Sequence, residues 1–600
     1  MRSVFLRRDP GLALLVLALV LAGVLYAPTL GRGLVNYDDP WLYTDNAIVR
    51  HPSLANLHTV FTDLELPNRF TLGAEYLPVR DLSVMADVTV WGEHYGGFHA
   101  TNVAIYLAAI VLWFLALVGF GVPREVAGLA LLLWAVHPVH VESVAWLAER
   151  KGVLGMMWSG ACVLGYARFR ANGRARWLVL AVVAGVAAVW SKAIAAFAVA
   201  ALAALELVVR HRGPAVPWPR RLRGLATVAV LAGLAFVPVV VVATRLGVVS
   251  AAAPGTAWSR PVAVLGAHGF YLRLVAGLVA NAVSYPIASR GPTALDIALG
   301  ALGFVAIALV FLPRWSSRPW ALPLRIAAVL WLFGWLPVGH LVLPIQQVFV
   351  ADRYLLWASL GAMLALAVGL TNLFGYLARP WLRGLVIAVV VVTFGVRALA
   401  AQATWASNVE LWQRAVASNP ADPNAWAMAI EALDAEGRTA EAARLAGEAL
   451  AHARTPRLVM HAGLAALADG RPGDGLALIT EAAAGGEPRA MANLANLLAT
   501  SGRLRPALLW ARLATVVAPG YANGQRILGK VARLIDQHSS ESRRAFERAY
   551  QLEPDSAVDR YNLGIALADA GERVRARALL ESCLGDHAVA RLARLALAHL

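Results

Sequence analysis

Two adjacent carboxylates stand in the run Asn36-Tyr37-Asp38-Asp39-Pro40, directly after the first long apolar stretch of the chain. That stretch, Gly11 to Leu30, is long enough to cross a bilayer as a helix, which takes about 20 residues. The pair is therefore expected at a membrane interface. Two neighbouring negative charges there raise each other's pKa and are costly unless something uses them. A carboxylate at the lip of a membrane cavity can take a proton from an incoming hydroxyl or hold a cation. A structural role as an N-cap or Asx turn before Pro40 also suits Asp39, but it leaves Asp38 unexplained. Asp38 and Asp39 are thus the candidate catalytic residues, with a divalent cation at the pair left open.

Further polar clusters interrupt the apolar pattern. The run His137-Pro138-Val139-His140-Val141-Glu142-Ser143-Val144-Ala145-Trp146-Leu147-Ala148-Glu149-Arg150-Lys151 has two histidines at i, i+3, a spacing that can present two ring nitrogens on one helix face. Glu142 or the Asp pair would have to complete a metal site, and no closed His/Cys set exists for zinc. A hydrogen-bonding wall ending in Arg150 and Lys151, both suited to a phosphate, is the better reading. Its alternative is an ordinary interfacial loop. Lys192 either snorkels at a span end or binds a phosphate. Asp352-Arg353-Tyr354 either carries an internal ion pair or offers Arg353 to a lipid phosphate. Arg80, His99 and Asn102 are polar positions leading into the second span, of which half are expected to be structural.

The elements that must position these residues are membrane helices. At 600 residues and 59% hydrophobic, with a mean hydropathy of +0.61, the chain is too apolar for a soluble protein of this size. The apolar runs fill 11–401, and the rest is Ala/Arg/Glu-rich. This predicts a polytopic membrane domain over 1–402, with a first loop at 31–99, and a second domain over 403–600. The net charge of +16 comes largely from arginines in short loops, which reads as membrane topology and not as nucleic-acid binding. Cys162 and Cys583 form no disulfide framework. The first apolar run is too long for a cleaved leader and reads as a retained span. Spans are expected at 11–30, 100–120, 126–147, 153–169, 177–190, 193–209, 225–245, 294–313, 326–343, 354–375 and 384–401. Arg2, Arg7 and Arg8 place the N-terminus in the cytoplasm, and the clusters Arg168–Arg176 and Arg210–Arg223, with Arg212 among them, agree. The stretch 263–283 carries His268 and Arg273 near its middle. Reading it as re-entrant keeps the later arginines inside and makes eleven spans. An odd count puts the Asp pair, the 137–151 run, Lys192, Asp352–Tyr354 and the C-terminal domain together on the external side.

From Trp405 onward, landmarks recur in the tetratricopeptide scheme: Trp426, Ala429, Leu433, Gly437, Ala442 and Ala449, then Met491, Leu494, Leu498, Gly502, Ala507, Ala514 and Pro519, then Leu563, Leu567, Gly571 and Ala576. Gly437 and Gly502 lie two units apart, so a degenerate repeat is expected at 456–485, and an irregular one at 522–554. About five helix pairs stacked as a solenoid would leave a concave groove for a peptide or protein, or else form a packing arm.

Taken together, the quoted residues resemble the transmembrane-and-tetratricopeptide-repeat (TMTC-type) proteins of the GT-C glycosyltransferase superfamily. The likeness rests on Asn36-Tyr37-Asp38-Asp39, His99-x-Thr101-Asn102, the 137–151 run, Trp190-Ser191-Lys192, Ala351-Asp352-Arg353-Tyr354 and repeats beginning at Leu411-Trp412. It implies an all-α GT-C membrane bundle followed by an α-solenoid. The implied activity moves a sugar from a polyprenyl-phosphate carrier to an acceptor, a protein hydroxyl, on the external (periplasmic) face. Asp38 or Asp39 would be the base. Glu142, Glu149, Arg150, Lys151, Lys192, Arg353 and their neighbours would bind substrate. Ala193 stands where the family commonly has proline, Gly152 where it often has Asp, and Tyr76–Arg80 is a looser form of the usual Pro-Leu segment. Eukaryotic members resemble protein O-mannosyltransferases; the resemblance does not carry the sugar across. Two readings from other classes compete: a non-catalytic membrane-anchored repeat scaffold for envelope complexes, and a transporter. The transporter lacks the paired broken helices and inverted repeat of that class.

Overall fold

The computed structural model describes residues 9–210, 215–247, 259–342, 348–377, 379–554 and 556–600. Arg2, Arg7, Arg8 and Arg212, used above to orient the chain, lie outside the described residues. Among the described residues all regular structure is helical, and the chain divides into two compact units, Met1–Arg414 and Ala415–Leu600.

Among the described residues, four helices in the first unit are long and apolar enough to cross a membrane: Pro10–Gly31, Tyr95–Gly119, Trp218–Arg245 and Pro380–Ala403. A bent pair, Arg124–Ala135 with Pro138–Ala145, makes a fifth. Five shorter apolar helices follow the same pattern at Ala175–Ser191, Ala195–Val208, Ala294–Val310, Ala321–Trp335 and Ala358–Phe374. Each of the eleven expected segments carries a helix, of which four or five, among the described residues, are full-length apolar spans. Several of the others are apolar helices of 14 to 17 residues, the helix Arg150–Asn172 is long but less apolar, and some segments are broken. The expected span 326–343 stops being helical at Trp335, and 354–375 begins with a 3-10 turn at Asp352–Leu355. The stretch 263–283 is helical only within Arg260–Val275.

The break in 126–147 matters most. Proline has no N–H and disfavours an α conformation in the residue before it, so the helix stops ahead of His137-Pro138. The His137 ring accepts the Val139 N–H at 3.3 Å and caps a 3-10 turn, Pro138–His140. The chain bends by 60°. A second break at Trp146 leads through the turn Leu147–Glu149 into the helix Arg150–Asn172. Residues 137–149 thus form a fully buried but irregular backbone, and its peptide groups must find partners elsewhere in the molecule.

The second unit is a succession of helix pairs: Pro423–Ala435 with Thr439–His452, Pro456–Ala468 with Pro472–Ala484, Pro488–Thr500 with Leu504–Val517, Ala522–Ile535 with Ser540–Leu552, and Ala557–Asp569 with Arg573–Ser582. A last helix, Ala590–Ala598, packs on the fifth pair. Alanines at the helix crossings, among them Ala429, Ala449, Ala507 and Ala514, are fully buried and let the helices approach closely. Gly437, Gly470, Gly502 and Gly571 take left-handed φ values of 74°, 77°, 77° and 81° at the turn inside their pairs, which L side chains rarely adopt. Gly470 is the landmark of the expected degenerate repeat.

Candidate functional site

The irregular backbone of 137–149 is satisfied by side chains from the loop and helix that precede it. Asp39, 1% exposed, accepts the Ala148 N–H on one carboxylate oxygen at 2.8 Å and the Val35 N–H on the other at 2.9 Å. Tyr43 donates its hydroxyl to the Leu147 carbonyl at 2.6 Å, and Asn102 donates to the Val144 carbonyl at 3.1 Å. Burial pushes the Asp39 carboxyl up to about 7, although its two amide partners and the reach of Asp38 act on it as well, the amides lowering and Asp38 raising it. Asp39 therefore fastens the loop after the first span to the 137–149 stretch. Its role is long-range, not the local cap before Pro40 that the sequence suggested.

Asp38 differs. Its carboxylate is partly open and makes no hydrogen bond or ion pair among the described residues. Burial raises it above the ordinary carboxylate range; Lys151 and Arg353 pull it back, and Glu75 and Glu149 push it up. Four charged groups from distant parts of the chain therefore surround it. Each cation among them is held by a glutamate. Lys151 reaches Glu75 at 2.7 Å, and Arg353 pairs with Glu142, whose other oxygen accepts the Arg353 N–H at 2.8 Å. Lys192 pairs with Glu149 and lies 5.7 Å from the centre of the Trp357 ring. Lys151, Lys192 and Arg353 keep 20%, 12% and 11% of their side chains open, and each has further N–H donors to offer. Tyr354 lies against Arg353, with the guanidinium 5.2 Å from its ring centre. A Cβ at Gly152 would come within 2.8 Å of the Glu149 carboxylate, which would then have to shift.

Other expected site residues are committed to the fold. Arg150 was expected to hold a phosphate, yet it is fully buried. Its guanidinium is shared among Asp87 at 2.5 Å, the Phe98 carbonyl at 2.7 Å and Asn102 at 3.2 Å. Arg80 is likewise enclosed, bonded to Asp81, Glu75 and the Leu72 carbonyl. His137 and His140 do not converge on a common point. His137 donates to the Val275 carbonyl at 2.9 Å, and His140 lies between Tyr106 at 2.8 Å and Ser359 at 2.9 Å. His99 faces the Gly33 carbonyl at 3.4 Å. Asp352 does not pair with Arg353. It accepts from the Tyr285 hydroxyl and, at 2.8 Å, from Asn281, and burial together with the adjacent Glu142 carboxylate pushes it up to about 8. As to a divalent cation, the amides hold both Asp39 oxygens, and among the described residues no three His, Cys, Asp or Glu side chains are grouped to hold a metal ion.

Several working residues carried no motif. Glu75, which serves both Lys151 and Arg80, sits one residue before the quoted Tyr76–Asp81 segment; Lys151 and Arg80 hold it below the ordinary range even though burial alone would raise it. Asp87 balances Arg150 from the helix Pro78–Trp91, where its i, i+7 offset from Arg80 was the one available hint. Asn408, which accepts the Asn36 N–H, and Trp405, which stacks on Trp146, also carried no chemical motif.

No protein-family model and no curated protein matches this chain. Among solved structures, the apo oligosaccharyltransferase of Archaeoglobus fulgidus aligns with a TM-score of 0.42 and 15% identity, covering 67% of this chain and 57% of that one. The same enzyme tethered to an acceptor peptide containing the NVT sequon aligns at 0.41 and 16%, covering 73% and 59%. This chain thus spans little more than half the length of that protein. YrrB, a tetratricopeptide-repeat protein with an unusual peptide-binding site, aligns at 0.25 and 17%, covering 31% of this chain and 98% of its own.

Proposed function

We propose that this chain is a membrane glycosyltransferase that moves a sugar from a polyprenyl-phosphate carrier to an acceptor hydroxyl, with Asp38 as the general base. The observation that carries the reading is the contrast within the charged cluster: Glu75, Glu142, Glu149, Asp39 and Asp352 are each engaged, and Asp38 alone is an unengaged, partly open carboxylate among cations. In the reaction the acceptor oxygen attacks the anomeric carbon, its proton passes to Asp38, and the bond from that carbon to the carrier's phosphate oxygen breaks. The spare N–H groups of Lys151, Lys192 and Arg353 meet the negative charge that the leaving phosphate carries away, and their glutamates hold them in place beforehand. Asp38 must be ionised to act, so the rate rises with pH through its elevated pKa.

The reading includes eleven membrane crossings with the site and the repeat unit on the external side, as the arginine distribution implies. It also gives the repeat unit the acceptor. The first helices of its pairs contribute Ile430, Glu431, His461, Arg489 and Asn493 to an open groove of about 210 Å³. The test is Asp38→Asn in membranes supplied with radiolabelled polyprenyl-phosphate sugars. Loss of product by on the order of 100-fold or more is expected. Unchanged transfer ends the base assignment and favours the scaffold reading, for which loss of the repeat unit, and not of Asp38, would abolish function.

A further inference from the structure

Asp38 makes no side-chain hydrogen bond or ion pair among the described residues, so the residues on either side must set where it lies. Downstream, Asp39 is tied to Val35 and Ala148. Upstream, the ties run to a segment that follows the helix Pro380–Ala403 and belongs to the same compact unit. The Asn36 N–H donates to the Asn408 side-chain oxygen at 2.8 Å, and the Trp412 indole donates to the Asn36 side-chain oxygen at 2.6 Å. The Tyr37 ring is stacked on Trp146, with centroids 4.8 Å apart and planes 11° from parallel, and meets Trp412 edge-on at 5.2 Å. Trp405 stacks in turn on Trp146 at 5.4 Å, and Thr404 and Trp405 line a narrow crevice of about 10 Å³ together with Glu142 and Asp352.

Leu411-Trp412 read in the sequence as the start of the repeat array. Nothing in a repeat helix requires its indole N–H and a neighbouring asparagine to be directed at a loop more than 370 residues earlier. That loop has every need of them. A general base works only when its carboxylate is held within about 0.5 Å of the productive position, and a mobile loop does not achieve that. We infer that Asn408 and Trp412 are positioning residues for Asp38, and that the segment 404–412 is a latch that completes the transfer site. This rests on the reading of Asp38 as the base.

The test compares Asn408→Ala, Asn408→Asp and Trp412→Phe in the full chain, reconstituted with labelled polyprenyl-phosphate sugar. Asn408→Ala removes the acceptor for the Asn36 N–H, and Asn408→Asp restores one. Trp412→Phe keeps the ring against Tyr37 and removes the indole N–H. Asn408→Ala and Trp412→Phe should each lower kcat on the order of 10- to 100-fold. KM for the lipid donor should stay within about twofold, because the donor's binding groups are untouched. Asn408→Asp should recover most of kcat. Hydrogen exchange should quicken at residues 35–39 in Asn408→Ala and remain as in the parent elsewhere. The latch is overturned if kcat holds in both variants, if Asn408→Asp is as slow as Asn408→Ala, if exchange at 35–39 is unchanged, or if exchange rises throughout the chain. Full activity of Asp38→Asn would remove the base assignment instead, and the exchange result would still report on the latch.

Discussion

Arg353 meets Glu142 across 211 residues of chain, with 11% and 3% of the side chains exposed, whereas Arg454 meets Glu481 across 27 residues with about half of each side chain in water. The contrast is between the surroundings of Asp38 and most of the repeat surface; Arg50 with Glu93 in the first unit is exposed, and Asp559 in the repeat unit is buried against Arg526. Near Asp38 the pairs are buried and join helices far apart in sequence, as Arg150 with Asp87 and Lys192 with Glu149. In the repeat unit they bridge neighbouring helices on the surface, as Arg512 with Glu541, and the apolar alanine and leucine pattern does the folding. Water screens a surface pair and costs it little to break; a buried charge left alone has nothing to replace its partner. The two sets of pairs therefore do different work. Those of the repeat unit decorate a fold already specified locally, and those of the first unit define where the reactive groups stand.

The contrast sharpens if charge removal is costly in one unit and not in the other. The largest effect is expected for Glu142→Gln, which leaves the Arg353 guanidinium buried without a carboxylate. It should destabilise the chain by about 3–5 kcal/mol, read from denaturation in detergent, and a change within error would mean that Arg353 is hydrated or otherwise paired.

A smaller, pH-dependent effect should come from Asp39→Asn. The folded carboxyl titrates at about 7, above its ordinary value near 4, so the folded state holds the proton more tightly than the unfolded chain. Its contribution is complete below pH 4 and is lost as pH rises to about 7. Over that interval the melting temperature of the parent should fall relative to the variant, whatever the constant offset from the lost amide partner. Parallel curves would refute the buried, protonated Asp39. Least of all, Glu481→Gln should leave the melting temperature nearly unchanged, and any residual difference should vanish in 1 M salt, where screening acts within about 3 Å. A clear loss there would erase the distinction between the units.

The sequence made parts of this arrangement legible. The glycines that need left-handed φ and the alanines at helix crossings mark the repeats because each pair is built from contacts within a few dozen residues. Long apolar runs marked the helices of the first unit for the same local reason. Pro138 was visible too, but its consequence was not: a break in the apolar helix turns 137–149 into irregular buried backbone, and that backbone recruits Asp39, Tyr43 and Asn102. Sequence reasoning made Asp39 a candidate base and Asn102 a candidate substrate ligand and passed over Tyr43, because it weighs a polar group beside an apolar run as functional and has no means of seeing a carbonyl 42 residues away that needs a donor. Arg150 and Arg80 were misread for the same reason, since the positions of Asp87 and Glu75 relative to them depend on helix packing.

The sequence by itself determined that the chain is helical, that an apolar region precedes a repeat array, and that charged residues are clustered where apolar runs are interrupted. These are local properties, set by residue type and spacing. The tertiary structure alone decided which charges neutralise one another, which carboxylate of the Asp38-Asp39 pair is left unengaged, and that Asn408 and Trp412 reach back to the loop beside it. Pairing of this kind depends on distances between segments hundreds of residues apart, and in a buried setting those distances separate a silent ion pair from a group able to take a proton.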